Sequence, residues 1–184
     1  GRGLICLALS EEQCDRLGLQ MMVQENRAPL GTAFTVSIDA REGITRGISA
    51  VDRATAIRAS VRPDATPKDI VTPGHVFPLR ARRGGVLVRT GQTEGGVDLA
   101  RLAGFSPAAV ICEIMREDGS MARLADLQTF AERHDLKIAT IADLIGYRSS
   151  HDSLVHLAAE SKLTTRHGGE FRALVYTTSI DDAE

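Results

Sequence analysis

The sequence predicts an α+β fold of mixed α/β layers, in which helices flank a central mixed sheet. Short apolar runs alternate with helical stripes along most of the 184 residues, which is the pattern of a layered domain. Apolar residues make up 43% of the chain and charged residues 25%, so the composition is that of a globular domain with a sizeable core.

The N-terminal region predicts a strand, a helix and a second strand. Residues 4–9 are apolar and predict a core strand. Ser10 would then cap a short helix that has an acidic first turn and ends at Gly18. Residues 33–39 alternate between apolar and polar side chains, a period of two that predicts a half-buried strand.

The middle of the chain predicts a helix, a loop and two short strands. Ser49 or Asp52 could open a helix that continues through residue 59. Several prolines interrupt residues 63–74, which predicts a loop there. Residues 76–79 and 85–88 are candidates for short strands.

The next region predicts two helices that alternate with two strands. A helix should follow Thr93 and end at Gly104. Residues 108–114 are almost continuously apolar, as in a strand that is covered on both faces. Helical spacing predicts a helix over residues 124–134, and residues 137–141 predict another strand.

The C-terminal tail differs from the rest of the chain. The α+β domain should end near Tyr147, which leaves residues 149–184 with one helix candidate at 154–160 and one strand candidate at 171–178. So few elements cannot form an independent core. We therefore expect residues 1–148 to form one domain and the tail to be a linker and the beginning of something else.

Charge and cysteine content exclude several classes of protein. A net charge of -2 and 4% aromatic residues argue against nucleic-acid binding, so Arg80, Arg82 and Arg83 are interpreted as a solvated turn. No apolar run reaches the roughly 18 residues of a membrane helix, so we expect a soluble protein. Three separated cysteines without metal-ligand spacing favour a reducing compartment, hence the cytoplasm, with Cys6 and Cys112 as small core residues.

Glu113 is the most conspicuous candidate for a functional residue. It follows the apolar residues 108–112 near the end of a predicted buried strand. An unpaired carboxylate buried there would cost on the order of several kcal/mol. Either the side chain turns outward at the strand end, or it belongs to a functional site.

His75 is a candidate acid or base. It stands between Pro73-Gly74 and an apolar run, so a rigid turn would present its ring, and histidine exchanges protons near neutral pH. The alternative is a histidine that only binds a loop carbonyl. On this pattern alone the alternative is favoured.

A short segment before the helix that follows Thr93 has the composition of a phosphate site. It consists of Arg89, Thr90, Gly91, Gln92 and Thr93. A basic side chain, a glycine that permits close approach and a hydroxyl at a helix start together suit a phosphate. Glu94 would repel an anion, so we expect its side chain to turn away. A capped helix after a basic loop explains the same residues equally well.

Several runs, taken in order and with their spacing, resemble the 3,4-dihydroxy-2-butanone 4-phosphate synthase family of riboflavin biosynthesis. They are GTAFTV at 31–36, GISAVDRAT at 47–55, PGHVFPL at 73–79, RTGQTEGGVDL at 89–99, CEI at 112–114 and DGSMA at 118–122. The resemblance covers residues 1–148. No single run would be specific, but their agreement in order is.

The resemblance implies a lyase that converts ribulose 5-phosphate to 3,4-dihydroxy-2-butanone 4-phosphate and formate by magnesium-dependent enediol chemistry, with manganese as a possible substitute. It implies that His75 and Glu113 are the acid and base, that Glu113 also contacts substrate, and that residues 89–93 bind the sugar phosphate. It further implies a homodimer with the active site at the interface.

The same resemblance leaves the metal site incomplete. The family has a histidine that binds magnesium where this chain has Gln92, whose carbonyl oxygen is an acceptable but neutral ligand for a hard cation. The family's other ligand is a glutamate in an acidic loop that would lie upstream of Gly1. We therefore expect this chain to be a fragment that is weak or inactive by itself.

The tail resembles the start of a GTP cyclohydrolase II domain, as in bifunctional riboflavin enzymes, over residues 158–171. The zinc-binding cysteines of that domain are absent, so no cyclohydrolase activity is expected of this chain. Two alternatives to the lyase stay open. One is a non-catalytic relative that keeps the fold and dimer surface, and the other is a sugar-phosphate binding module without turnover.

Overall fold

The computed structural model describes residues 3–153 and 155–178. Their strands are β1 (Cys6–Leu9), β2 (Ile38–Ala40), β3 (Ile70–Arg80), β4 (Ala108–Ile111), β5 (Val155–Thr165) and β6 (Gly169–Thr178). Their α-helices are α1 (Glu11–Arg16), α2 (Ala50–Val61), α3 (Gln92–Leu102), α4 (Leu124–His134) and α5 (Ile141–His151). None of these helices is long and apolar enough to cross a membrane.

Four strands form a mixed sheet in the order β2-β3-β1-β4. β1 is parallel to β3 and antiparallel to β4, while β2 is antiparallel to β3. Successive side chains of β1 point to opposite faces. Leu7 and Leu9 belong to one core cluster with Ala56 of α2, and Ala8 packs with Val97 of α3 in the other. The predicted α+β class with a central mixed sheet is confirmed.

Local signals in the sequence set the helix starts. The Ser10 hydroxyl accepts a hydrogen bond from the Gln13 backbone N–H, and the Gln13 side chain accepts one in return from the Ser10 N–H, which forms a capping box. Gly18, at φ +64°, follows this helix in the left-handed conformation that favours glycine. Of the two possible starts of α2, Ser49 is the cap, because its hydroxyl accepts from the Asp52 N–H.

Three predicted elements are wrong. Residues 63–74 are not all loop, because a 3-10 helix at Pro67–Asp69 leads directly into β3. Gly84 and Gly85 take positive φ angles, and Gly85–Leu87 is a 3-10 helix and not a strand. No strand forms at residues 137–140, since Thr140 caps α5 by accepting from the Asp143 N–H.

Two strands are shorter and differently buried than predicted. β4 ends at Ile111 and is an edge strand, and Val110 is 52% exposed, so residues 108–114 are not covered on both faces. In residues 33–39 the regular strand begins only at Ile38, and the three residues of β2 are all buried. Phe34 forms only an isolated bridge to Leu79.

The tail forms a hairpin of β5 and β6, joined by residues 166–168, so the predicted helix at 154–160 is wrong; Leu154 lies outside the described residues. Cross-strand pairing overrides the weak helical pattern, as in the Leu157–Tyr176 pair. The strand predicted at 171–178 is confirmed within β6. Almost every described residue of the hairpin is exposed, including Phe171 at 53% and Tyr176 at 56%.

Candidate active site

His75 lies in a bulge of β3. Ile38 of β2 is opposite Val76, but the next residue, Asp39, is opposite Val71. Residues 72–75 therefore have no paired partners on β2 and form the bulge, which leaves the His75 side chain half-exposed. Gly74 packs so closely on the Ile38 backbone that a Cβ at this position would overlap it.

Both carboxylate oxygens of Asp39 bind His75. The His75 backbone N–H donates to Oδ1 at 3.0 Å, and the ring Nδ1 lies 2.7 Å from Oδ2. The Asp39 side chain is only 9% exposed, whereas that of His75 is 41% exposed. An ionised carboxylate only accepts hydrogen bonds, so Nδ1 is the donor in this bond, and in the neutral form of the ring Nε2 keeps its lone pair. This arrangement suits a general base.

Sequence reasoning missed Asp39. It was one of the polar positions in an alternating strand, and 36 residues separate it from His75. An aspartate near the end of a predicted strand gives no signal of a partner so distant in the chain. Only the pairing of β2 with β3 brings the two together.

Glu113 lies two residues beyond β4 and is exposed, so its carboxylate is not buried within the strand. Its Oε2 accepts a hydrogen bond from the Leu4 backbone N–H at 3.0 Å. In the register of the sheet, Cys6 is opposite both Phe77 and Ile111. Continued toward the N-terminus, that register sets Leu4 between His75 and Glu113. Their backbones then lie two strand spacings apart, roughly 10 Å.

The guanidinium of Arg89 is already engaged. Its Nη1 lies 2.6 Å from Glu94 Oε2, and its Nη2 donates to the Leu30 carbonyl at 3.1 Å. Glu94 is 1% exposed, and its Oε1 accepts from the Arg82 backbone N–H at 3.0 Å. Glu94 turns into the protein, as expected of a residue that must avoid an anion, but it also neutralises much of the Arg89 charge.

The first turn of α3 keeps free backbone donors. The N-cap is Gly91, which has no side chain that could accept a hydrogen bond from the first N–H groups of the helix. The first N–H groups of a helix lack partners within it and carry its positive end, so an anion is favoured there. Thr90 and Gln92 are exposed and Thr93 is buried. The backbone amides, more than Arg89, are therefore the groups available to a phosphate.

His75 lies in the middle of β3, whereas residues 89–93 lie beyond the C-terminal end of that strand. The strand rises about 16 Å from His75 to its last residue, Arg80. The contact between Glu94 and Arg82 ties the first turn of α3 to the Arg80 end. Arg89 also binds the Leu30 carbonyl, and Ala33, three residues after Leu30, accepts a hydrogen bond from the Arg80 N–H. The segment that binds Arg89 therefore also lies near Arg80. These contacts associate residues 89–93 with the Arg80 end of β3, five residues along the strand from His75.

Comparison with known proteins decides the family. The family model for 3,4-dihydroxy-2-butanone 4-phosphate synthase matches residues 1–147. The chain belongs to this family. It is 56% identical over 180 residues to the 3,4-dihydroxy-2-butanone 4-phosphate synthase of Pseudomonas syringae pv. tomato. The aligned residues are 98% of this chain but 48% of that protein. The chain thus spans about half the length of this relative.

Solved structures of synthases support the same assignment. A two-domain synthase from A. baumannii is 51% identical and superposes with a TM-score of 0.86 over 99% of this chain and 53% of its own. A synthase in complex with two magnesium ions is 46% identical, with a TM-score of 0.79 over 82% of this chain and 75% of its own. The fold assignment therefore rests on close relatives.

The described residues offer no ready cluster of metal ligands. No group of three or more histidine, cysteine, aspartate or glutamate side chains among residues 3–153 and 155–178 is arranged to hold a metal ion. Gln92, at the first position of α3, is exposed and could supply one oxygen. One neutral oxygen is not enough to bind a hard cation, so Gln92 would need further ligands from elsewhere.

Proposed function

We propose that the complete protein is a lyase that converts ribulose 5-phosphate to 3,4-dihydroxy-2-butanone 4-phosphate and formate. The observation that carries this proposal is the pair formed by Asp39 and the half-exposed ring of His75. Family membership supplies the reaction, and the pair supplies an oriented base. Glu113, which the extended sheet register places across Leu4 from His75, provides a second group that exchanges protons.

In this proposal His75 and Glu113 divide the proton transfers of an enediol route. Nε2 of His75, left free by the bond between Nδ1 and Asp39, takes a proton from the carbon skeleton. Glu113 is solvent-accessible and contacts substrate, so it can return or remove a second proton. Rearrangement of the skeleton and loss of one carbon as formate complete the reaction.

The substrate phosphate would bind at residues 89–93. Supporting this are the uncapped amides at the start of α3 and the accessible side chains of Thr90 and Gln92. The Arg89 guanidinium would orient Glu94 and the segment that contains Leu30, and contribute only part of its charge to the phosphate.

We propose a homodimer in which each active site combines two chains. The separation of His75 from residues 89–93 along β3 supports this, because one copy can supply the base and the other the phosphate site. Exposed apolar side chains near both groups would be covered in such a dimer, among them Val88 at 45% exposure and Ile48 at 60%.

Magnesium dependence is proposed from the related synthase in complex with two magnesium ions, with manganese as a possible substitute. Gln92 would be one ligand, and the others would come from outside the described residues. A cytoplasmic location is proposed because Cys6, Cys14 and Cys112 are free thiols; Cys6 and Cys14 are buried, and Cys112 is half-buried.

We also propose that the β5–β6 hairpin is the opening of a second, GTP cyclohydrolase II-like domain. Its exposed apolar side chains and the two-domain architecture of the A. baumannii synthase support a second domain, and only the likeness of residues 158–171 supports its kind. Nothing in the hairpin provides cyclohydrolase chemistry, so the proposed activity belongs to residues 1–148.

The complete chain should release formate from ribulose 5-phosphate when magnesium is present. A chain that binds the substrate without releasing formate would support a sugar-phosphate binding module instead. A chain that neither binds nor turns over the substrate would support a non-catalytic relative that keeps only the fold and the dimer surface.

A further inference from the structure

Asp52 has an unusual set of partners for a residue in the first turn of a helix. Ser49 already caps α2, and the Asp52 carboxylate, 3% exposed, reaches back to the preceding loop. Its Oδ1 accepts from the Thr45 N–H at 3.1 Å. Its Oδ2 accepts from the Thr45 hydroxyl at 2.8 Å and from the N–H groups of Arg46 at 3.2 Å and Gly47 at 3.0 Å.

These bonds make Asp52 the organising group of the 45–47 loop. Every backbone N–H from Thr45 to Gly47 ends on this one carboxylate. The Thr45 hydroxyl and then the backbone donors lower the pKa of Asp52 to about 2, so it stays ionised at any pH at which the protein works. The loop has no regular secondary structure that would hold it otherwise.

Gly47 carries the loop across the bond between Asp39 and His75. It is buried and has a φ of +84°, a backbone conformation that side-chain-bearing residues rarely adopt. A Cβ at Gly47 would overlap both Asp39 Oδ2 and His75 Nδ1, the two atoms of the hydrogen bond. The glycine backbone therefore lies directly against this bond and occupies the space in which water would compete for it.

We propose that Asp52 is a positioning residue for His75, because it holds Gly47 over the Asp39–His75 hydrogen bond. A bond shielded from water keeps its strength and direction. Its consequence is a single ring tautomer with Nε2 unprotonated and aimed outward. Asp52 touches neither the ring nor substrate, and it acts only through the loop.

The inference deepens the proposed function, since it concerns the base of that reaction, but half of its test needs no substrate. The variants Asp52→Asn and Thr45→Val are made in the complete protein. Asp52→Asn replaces one acceptor oxygen with a donor, and Thr45→Val removes only the hydroxyl bond at an exposed position. Asp69→Asn is the matched control, because Asp69 also accepts from a backbone N–H and a hydroxyl, both of Thr66, away from the ring.

The first readout is the ¹⁵N NMR spectrum of histidine-labelled protein, in which His75→Gln assigns the His75 signals. We expect wild type and Asp69→Asn to show one neutral tautomer, protonated at Nδ1. Asp52→Asn should show a mixture of both tautomers, and Thr45→Val a smaller admixture. The second readout is kinetic: kcat of Asp52→Asn should fall about 10-fold or more while KM stays within about 2-fold, as for a misplaced catalytic group.

Unchanged His75 signals in both variants would overturn the inference, and if Asp52→Asn does not fold, Thr45→Val alone decides it. A fall in kcat with an unchanged tautomer would also overturn it, because the loop would then act by another route. A tautomer change in a protein that releases no formate would support the positioning role and refute only the lyase.

Discussion

Two buried carboxylates near the central sheet affect their partners in opposite ways. Asp39 orients the accessible His75 through Nδ1 and leaves Nε2 outside that bond. Glu94 binds the side chain of Arg89, the cation that the sequence offers to a phosphate. A buried carboxylate therefore presents one group and withdraws the other. Residue type alone does not say which group remains free to meet a substrate.

The largest effect on catalysis is expected from a substitution of His75. His75→Gln in the complete protein should lower kcat for formate release by on the order of 10²–10⁴, the contribution of a positioned general base. Stability should fall by about 1 kcal/mol, because the buried Asp39 loses the ring as a partner but keeps the backbone N–H of residue 75. His134→Gln is the control, since that ring packs on Phe130 in α4. Activity within about 10-fold of wild type would remove His75 from the mechanism.

A substitution of Arg89 should change the stability of the protein before it changes catalysis. Arg89→Ala leaves Glu94 buried without its cation, which should cost about 3 kcal/mol of unfolding free energy. Adding Glu94→Gln removes the stranded charge and should restore most of that loss in urea unfolding. If the double variant regains both stability and the wild-type KM, Arg89 does not bind the phosphate. A raised KM that persists in the stable double variant would show that it does.

Much of the local structure is predictable from the sequence, whereas contacts between residues distant in the chain are not. Ser10 and Ser49 cap their helices because capping depends on residues within one turn. The edge position of β4 and the bulge that carries His75 depend on which strands become neighbours. The sequence pattern indicates His75 and Glu113, but it does not indicate Asp39 as the partner of His75.

A smaller effect should distinguish the loop that covers His75 from the rest of the fold. The pKa of Asp52 is lowered in the folded protein from 3.8 to about 2 by the hydrogen bonds from Thr45, Arg46 and Gly47. A lowered folded pKa stabilises the protein above about pH 4, and this contribution is lost as the pH falls toward 2. Urea midpoints should therefore fall less steeply with acid in Asp52→Asn than in wild type. Parallel curves would contradict the assignment.

The smallest effect should come from Gln92→His. The position is exposed at the start of α3, so the unfolding free energy should change by no more than about 0.5 kcal/mol. The magnesium concentration that gives half-maximal formate release should fall, because the imidazole would occupy a ligand position. An unchanged magnesium requirement would argue that Gln92 does not bind the metal.

In the proposed dimer, His75 of one copy works with residues 89–93 of another. Two variants of the complete protein each remove one half of the proposed site: His75→Gln removes the base, and Thr90→Glu disrupts the phosphate segment. Thr90 is exposed, so the added charge should repel the phosphate without disturbing the core. Differently tagged chains are coexpressed, and the heterodimer is purified. It should release formate at about half the wild-type rate, because one of its two sites combines the intact His75 with the intact phosphate segment. A heterodimer that is no more active than either variant homodimer would contradict the shared site.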